Sequence, residues 1–255
     1  MKRIAALLVF FLFFVPALCV AHFGMVIPDH DTISQETGPG VKVTLSFSHP
    51  FDGVGMPLVK PSAFDLYTPF GKKNLRKALL PSRVMGEKGW RVPYAFKRPG
   101  VYQFVMTPEP YWEPAEDVFI IHTTKTIVPA FGGEEGWDRE LGLATEIVPM
   151  TRPFGLYAGN LFQGVVKVAG KPVAGAEVEV EFFNEKREAK APSGYHVTQV
   201  VKADENGVFS FVAPKKGWWG FAALTEAPYT LEVKGEKKGV ELGAVLWVHF
   251  SKWAD

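Results

Sequence analysis

Short segments in which apolar and polar residues alternate recur along this chain. Residues 41–48 place valine, leucine or phenylalanine at every second position, and residues 176–182 alternate glutamate with apolar partners. A period of two is typical of a β-strand with one buried face. The sequence therefore predicts a fold built from short strands rather than from helices.

The same criterion predicts further strands, separated by segments rich in Gly, Pro and Asn. They are residues 63–67, 101–106, 118–122, 126–128, 162–168, 197–202, 208–212, 217–221 and 243–250. The turn at residues 204–207 is expected to join its two flanking strands into a hairpin. Residues 75–90 have no clear pattern beyond room for a single helical turn.

This spacing of strands and turns indicates an all-β fold with two β-sandwich domains, immunoglobulin-like or transthyretin-like in type. The predicted boundaries are 22–130 for the first sandwich, 131–154 for a connecting segment and 155–255 for the second sandwich. Apolar residues within 131–154 indicate that this segment packs on a domain.

Composition agrees with a folded chain and restricts its partners. Hydrophobic residues make up 47% of the 255 residues and charged residues 22%, which excludes wholesale disorder. The formal net charge is +1, from 28 basic and 27 acidic residues. No global basic field is present to attract nucleic acid.

The first 21 residues have the pattern of a secretory signal peptide. Lys2 and Arg3 precede an apolar run over residues 4–18, and Cys19 and Ala21 occupy the −3 and −1 positions of a cleavage site. The apolar run is shorter than the roughly 20 residues that a membrane-spanning helix needs. Leu18 before the cysteine argues against a lipoprotein. We expect cleavage after Ala21, export to the periplasm, and a mature chain without cysteine.

Cleavage at that point would make His22 the mature N-terminus. An N-terminal histidine offers its α-amine and its imidazole Nδ1 to one ion, and the amine loses its proton near neutral pH at modest cost. Such nitrogen donors suit Ni(II) and Cu(II). The sequence therefore predicts His22 as a metal ligand.

Further ligands are expected among the other histidines and one methionine. His49 follows an alternating strand and is the first candidate partner, with His122 at the end of an apolar strand as the second. Met56 lies in a Gly-rich loop, and its thioether would suit copper better than nickel. The remaining histidines are expected to be structural or at the surface: His30, His196 and His249.

Other candidate chemistry is weaker. Carboxylates cluster at residues 109–117 and 134–138, where they could hold Ca²⁺ or form an acidic rim, although neither segment has a calcium-loop spacing. Trp218 or Trp219, and the pair Tyr111 and Trp112, could offer a carbohydrate surface. No nucleophile-elbow, zinc-protease or phosphate-binding motif is present in the sequence. We therefore expect a protein that is not an enzyme and has no catalytic residues.

Two resemblances to known families sharpen these expectations. Residues 170–178 and 203–209 resemble the transthyretin-like sandwich modules of exported proteins. The order of the motifs at residues 21–28, 48–53, 122–126 and 146–150 resembles the periplasmic two-sandwich family known as domain of unknown function 4198. This similarity covers nearly all of the mature chain. It implies a periplasmic protein, and some family members accompany nickel or cobalt transporters of the energy-coupling-factor type.

The leading hypothesis is a periplasmic accessory protein of a metal-uptake transporter, which binds Ni²⁺ or Co²⁺ through His22 and further imidazoles. One alternative is a copper carrier or a copper protein with an N-terminal histidine brace. The other is a structural or carbohydrate-binding sandwich without a metal.

Overall fold

The structure is a computed structural model that describes residues 21–253. The predicted signal peptide lies outside the described residues except for Ala21. Strands, turns and two 3-10 helices, Arg76–Ala78 and Gly194–His196, make up the described chain. The predicted all-β class is therefore confirmed. Neither helix has the length or the apolar surface to cross a membrane, and residues 21–253 contain no other.

Ten strands form the first half of the chain. They are β1 (Phe23–Pro28), β2 (Gly40–His49), β3 (Val54–Met56), β4 (Ala63–Thr68), β5 (Gly71–Asn74), β6 (Leu80–Val84), β7 (Glu87–Ala95), β8 (Gly100–Thr107), β9 (Tyr111–Glu113) and β10 (Val118–Ala130).

Ten more strands form the second half. They are β11 (Thr145–Pro149), β12 (Leu156–Tyr157), β13 (Leu161–Val168), β14 (Lys171–Pro172), β15 (Glu177–Phe182), β16 (Thr198–Lys202), β17 (Val208–Val212), β18 (Gly217–Glu226), β19 (Leu231–Val233) and β20 (Glu236–Ser251).

These strands form three sheets, and the largest contains strands of both halves. Its main path runs β16-β15-β18-β20-β10-β8-β4-β5. A five-stranded sheet of β1, β2, β3, β6 and β7 covers the first half, and a four-stranded sheet of β11, β13, β14 and β17 covers the second. The two halves are joined where β10 and β20 pair in parallel, with His122 opposite Gly243.

Hydrophobic packing follows this division. Buried side chains such as Leu45, Phe64 and Phe104 fill the first core, and Phe162, Phe209 and Phe221 fill the second. A third and smaller cluster lies at the junction and includes residues of β1; its buried members are Ala21, Phe23, Met25, Ala222, Val245 and Trp247. The Trp247 indole N–H also donates to the Gly24 carbonyl at 2.8 Å. The start of the described chain is thereby fixed against the large sheet.

The predicted hairpin around residues 204–207 is wrong. The turn itself forms, because Asp204 accepts the Gly207 N–H at 3.1 Å and donates its own N–H to Val208 at 2.9 Å. However, β16 pairs with β15 in the large sheet, whereas β17 pairs with β13 in the four-stranded sheet. The turn crosses from one layer of the sandwich to the other, which local turn chemistry does not encode.

Two further boundaries differ from expectation. Residues 118–122 and 126–128 belong to one 13-residue strand, β10, because neighbouring strands bury the polar residues Thr123, Thr124 and Lys125 between them. The strand β11 lies inside the segment expected to connect the two sandwiches, and it pairs with β13 along its whole length.

Candidate metal centre

Three strands bring His22, His49 and His122 to one end of the junction. His22 immediately precedes β1, and His49 ends β2. The antiparallel register pairs Phe23 with Ser48, so His22 and His49 are neighbours across the two strands. Their ring centroids are 4.7 Å apart. Metal–nitrogen bonds of about 2.0–2.1 Å allow two rings this close to share one ion.

The phenyl ring of Phe47 links His122 to this pair. His22 stacks on Phe47 at a centroid distance of 5.7 Å, and His122 meets the same ring edge-on at 5.8 Å. Tyr111 packs against it as well, at 5.0 Å. His22 and His122 thus contact the same phenyl ring, and His49 joins this cluster through its contact with the His22 ring.

Two carboxylates orient two of the rings. His22 Nε2 lies 3.2 Å from Glu113 on β9, and His122 Nε2 lies 3.1 Å from Glu241 on β20. An imidazole Nε2–H that donates to a carboxylate keeps the lone pair on Nδ1. This carboxylate–imidazole arrangement is typical of histidines that bind metals.

The Nδ1 atom of His122 has no hydrogen-bond partner, although it is buried. The side chain is 2% exposed. Buried polar atoms are almost always paired, because an unpaired one costs about 1–3 kcal/mol. Gly243 makes room for the ring, since a Cβ there would come within 2.3 Å of His122 Cδ2.

His49 points at the position where a mature N-terminus would begin. Its Nδ1 lies 2.9 Å from the Ala21 carbonyl oxygen, and the carbon of that carbonyl is bonded to the His22 nitrogen. In the uncleaved chain that nitrogen is an amide, whose lone pair is delocalised into the carbonyl group, so it is a much poorer ligand than an amine while it keeps its proton. After cleavage it would be an amine beside the same imidazole.

The electrostatic environment keeps His22 neutral. Its pKa is lowered to about 4, chiefly by burial and then by the charges of His49 and His122, whereas the charges of Glu113 and Glu241 oppose the shift. The contact with Glu113 is thus a hydrogen bond from a neutral imidazole and not an ion pair.

The neighbouring carboxylates shift in opposite directions. Burial acts to raise the pKa of Glu241, but the hydrogen bond and charge of His122 outweigh it, and the pKa is lowered. Burial and the charges of Glu241 and Glu113 raise the pKa of the nearby Glu116. Negative charge is therefore concentrated on Glu241, directly behind the His122 ring.

The second sandwich holds the loop that follows His49. Asn184 donates its backbone N–H to Pro50 and its side-chain amide to Phe51, both at 3.2 Å. The buried carboxyl group of Glu181 accepts the Phe51 N–H at 3.4 Å. Arg187 donates to the Gly53 carbonyl. The orientation of His49 thus depends on residues more than a hundred positions away.

The other candidates contact other groups. Met56 is the strand partner of Phe47, whose ring contacts His22 and His122, and it packs against the first core. His196 is exposed beside Ser193, and His249 contacts Asp31 at 2.9 Å. His30 is exposed in a loop. Trp219 is buried, and Trp218 is half-buried against His249.

No group of three or more His, Cys, Asp or Glu side chains in residues 21–253 has its donor atoms converged on one point. The contacts above give the reason. His22 and His122 direct Nε2 at carboxylates, and His49 directs Nδ1 at the Ala21 carbonyl. One nitrogen of each ring is thereby directed at a protein group and not at a point shared by the three rings.

Sequence reasoning missed Glu241 and Gly243. Glu241 is far from any histidine along the chain, and its hydrogen bond to His122 spans 119 positions. Gly243 lies within an apolar strand, where a glycine signals a close approach by another group. That signal was present in the sequence, but it did not indicate which side chain approaches.

Comparisons with known proteins give a family and a general likeness. The model of a family described as a domain of unknown function (DUF4198) matches residues 19–227. No curated protein sequence matches the chain.

Solved structures resemble it only distantly. The D0-D1 domain of intimin is 14% identical, with 91% of this chain and 100% of that chain covered and a TM-score of 0.27. The Yersinia pseudotuberculosis adhesin InvE is 10% identical, with 87% and 58% covered and a TM-score of 0.23. Murine CEACAM1b is 9% identical, with 91% and 100% covered and a TM-score of 0.22.

Proposed function

We propose that this chain, which belongs to the DUF4198 family of domains of unknown function, is a periplasmic binding protein for a divalent transition-metal ion. Nickel or cobalt is the proposed cargo, held by His22, His49 and His122. The protein is proposed to have no enzymatic activity of its own. It passes the ion to a membrane transporter, for which the energy-coupling-factor type is the proposed partner.

The observation that carries this proposal is the unpaired Nδ1 of His122. Its other nitrogen is oriented by Glu241, and its ring contacts Phe47, which also contacts His22. A metal ion is a partner that would satisfy this atom and the Nδ1 atom of His22 together. Nitrogen donors with carboxylates behind them suit Ni(II) and Co(II).

Removal of the residues through Ala21 is the step that would complete the site. In the uncleaved chain, His49 Nδ1 is hydrogen-bonded to the Ala21 carbonyl group. Cleavage would remove that carbonyl group and leave the His22 amine beside the same nitrogen. The amine and the Nδ1 atom of one histidine form a chelate, and His49 supplies a third nitrogen.

The test uses the chain that begins at His22 and a second chain that retains Ala21. Both are titrated with Ni²⁺, Co²⁺ and Cu²⁺ by calorimetry, and intact mass spectrometry verifies each N-terminus. We expect one ion per mature chain and at least about tenfold weaker binding when Ala21 blocks the amine. Equal affinity of the two chains would exclude the amine as a ligand.

Substitutions then identify the side chains. His22→Ala, His49→Ala and His122→Ala should each weaken binding, and Glu241→Gln should weaken it by about 10- to 100-fold, as for other residues that orient metal ligands. His196→Ala is the matched control, because this imidazole is exposed and lies outside the cluster. A strong preference for copper that is lost in Met56→Leu would favour a copper carrier. Failure of all three ions to bind the mature chain would refute the proposal.

A further inference from the structure

A second candidate site lies in a cleft between the two sandwiches, and no histidine lines it. Its volume is about 510 Å³, within the range of roughly 300–1,000 Å³ usual for small-molecule sites. The outward faces of β1, β2 and β7 form its floor. The turn between β6 and β7 forms one wall, and the segment after β15 forms the other.

Positive charge dominates the polar lining. The lining includes Lys42, which lies 3.8 Å from Asp29. Asp29 also lines the cleft and offsets Lys42, so three guanidinium groups, from Arg83, Arg91 and Arg187, stand against one further carboxylate, that of Glu185. The cleft therefore has the electrostatic character of a site for an anion.

The guanidinium groups retain donors for a ligand. The Nε–H of Arg83 donates to the Gly86 carbonyl at 3.0 Å, and one terminal N–H of Arg187 donates to the Gly53 carbonyl. Arg91 lies on the floor opposite Thr44, and its side chain has no hydrogen-bond or ion-pair partner within residues 21–253. A planar guanidinium with free N–H groups binds a carboxylate or a phosphate through two parallel hydrogen bonds.

A buried hydroxyl group adds a further donor. Ser46 is 3% exposed and lines the floor. Its oxygen accepts the Ser48 hydroxyl at 3.2 Å, which leaves the Ser46 hydrogen for an acceptor in the cleft. A ligand oxygen is such an acceptor.

The rest of the lining is apolar and polarisable. Phe183 and Trp218 come from the second sandwich, and Met25 and Met85 from the first. Aromatic rings and thioethers pack well against the face of an aromatic or branched apolar group. The cleft thus combines an oxyanion site with space for an apolar body.

We propose that this cleft binds a small organic anion, with its oxyanion at Arg91 and Ser46 and its apolar body between Trp218, Phe183 and the methionines. This site is independent of the proposed metal centre. The two share only the loop after His49, through the contact of Arg187 with Gly53.

The test is a calorimetric titration of the metal-free protein with naphthalene probes of one shape. The probes are 2-naphthoate, 2-naphthyl phosphate and the uncharged 2-naphthamide, with inorganic phosphate as the anion without an apolar body. We expect one-to-one saturable binding of at least one charged naphthalene probe, and at least about tenfold weaker binding of the amide and of inorganic phosphate. The tighter of the two charged probes identifies a carboxylate or a phosphate ligand.

Variants locate the probe. Arg91→Gln should weaken binding of the tighter probe by at least about tenfold. Arg91 is exposed, and its side chain has no hydrogen bond or ion pair within residues 21–253, so its substitution removes none. Ser46→Ala should weaken binding as well. Arg98→Gln is the control, because Arg98 stacks on Phe70 outside the cleft. The proposal is overturned if no naphthalene probe saturates, or if Arg91→Gln binds as tightly as the unchanged protein.

Discussion

Two buried polar clusters lie three positions apart on β10, and they differ in how their polar atoms find partners. Lys125 contacts Glu146 at 2.7 Å, both side chains are 2% exposed, and Glu146 also accepts the Leu141 N–H. His122 is equally buried, contacts Glu241 and keeps an unpaired Nδ1. Neighbouring positions in a strand point to opposite faces, so the first cluster faces the second sandwich and the second faces β1.

The difference separates a structural pair from a candidate binding site. A buried ion pair whose charges and hydrogen bonds are met within the protein needs no ligand. A buried imidazole with an orphan nitrogen stores a desolvation cost that a ligand can remove. The Lys125 cluster should therefore respond to mutation through stability, and the His122 cluster through binding.

Breaking the buried ion pair of Lys125 with Glu146 should have the largest effect on the free energy of unfolding. Glu146→Ala leaves the Lys125 ammonium buried without its counter-charge and should lower the free energy of unfolding by about 3–5 kcal/mol. Urea denaturation measures this. The control is Glu177→Ala, whose partner Lys202 is 70% exposed, and that change should cost no more than about 1 kcal/mol. Equal costs in the two variants would show that the Lys125 cluster is not a structural pair of this kind.

Glu181 is intermediate between the Lys125 pair and the unpaired His122. Its carboxyl group is fully buried and accepts hydrogen bonds from Thr198 and Phe51, but no cation contacts it among residues 21–253. Its pKa is raised to about 8, chiefly by burial; the hydrogen bonds from Thr198 and Phe51 oppose this shift, and the charges of Glu179 and Asp52 support it. The folded state therefore binds this proton more tightly than the unfolded state.

The sign of the pH effect follows from that preference. The stability that this proton contributes is fully present below the ordinary pKa near 4.5 and is lost as the pH rises through about 8. The loss is at most about 1.4 kcal/mol per pH unit for one proton. Glu181→Gln should remove this component, so the stability difference between variant and unchanged protein should change between pH 5 and 8. A constant difference across that range would contradict the raised pKa.

Filling the space beside His122 should have a smaller effect on stability. Gly243→Ala would place a methyl group within 2.3 Å of the buried ring, which should cost about 1–3 kcal/mol through overpacking. If the ring shifts, the affinity for Ni²⁺ should fall as well.

Gly239→Ala on the same strand is the matched control, since its Cβ would meet only Val118 at 3.8 Å. Thermal unfolding and calorimetry of both variants measure the two effects, and indistinguishable behaviour would mean that Gly243 does not position His122.

Local patterns in the sequence were sufficient to predict most strands of the site. The alternation at residues 41–48 predicts β2, and the apolar run at 118–122 predicts the start of β10. His22, His49 and His122 were candidates because of their residue type and position, and the structure brings the first two into ring contact. Their role as metal ligands stays a prediction.

The tertiary structure alone decided which groups surround those histidines. Strand periodicity is a property of neighbouring residues, so the sequence determined the all-β class and the face on which each side chain lies. Strand pairing depends on how the whole chain packs, and it set β20 beside β10, Glu241 behind His122 and the second sandwich against the His49 loop. The same packing sent β16 and β17 to different sheets, because burial of both apolar faces in one core outweighs the preference of a local turn for a hairpin.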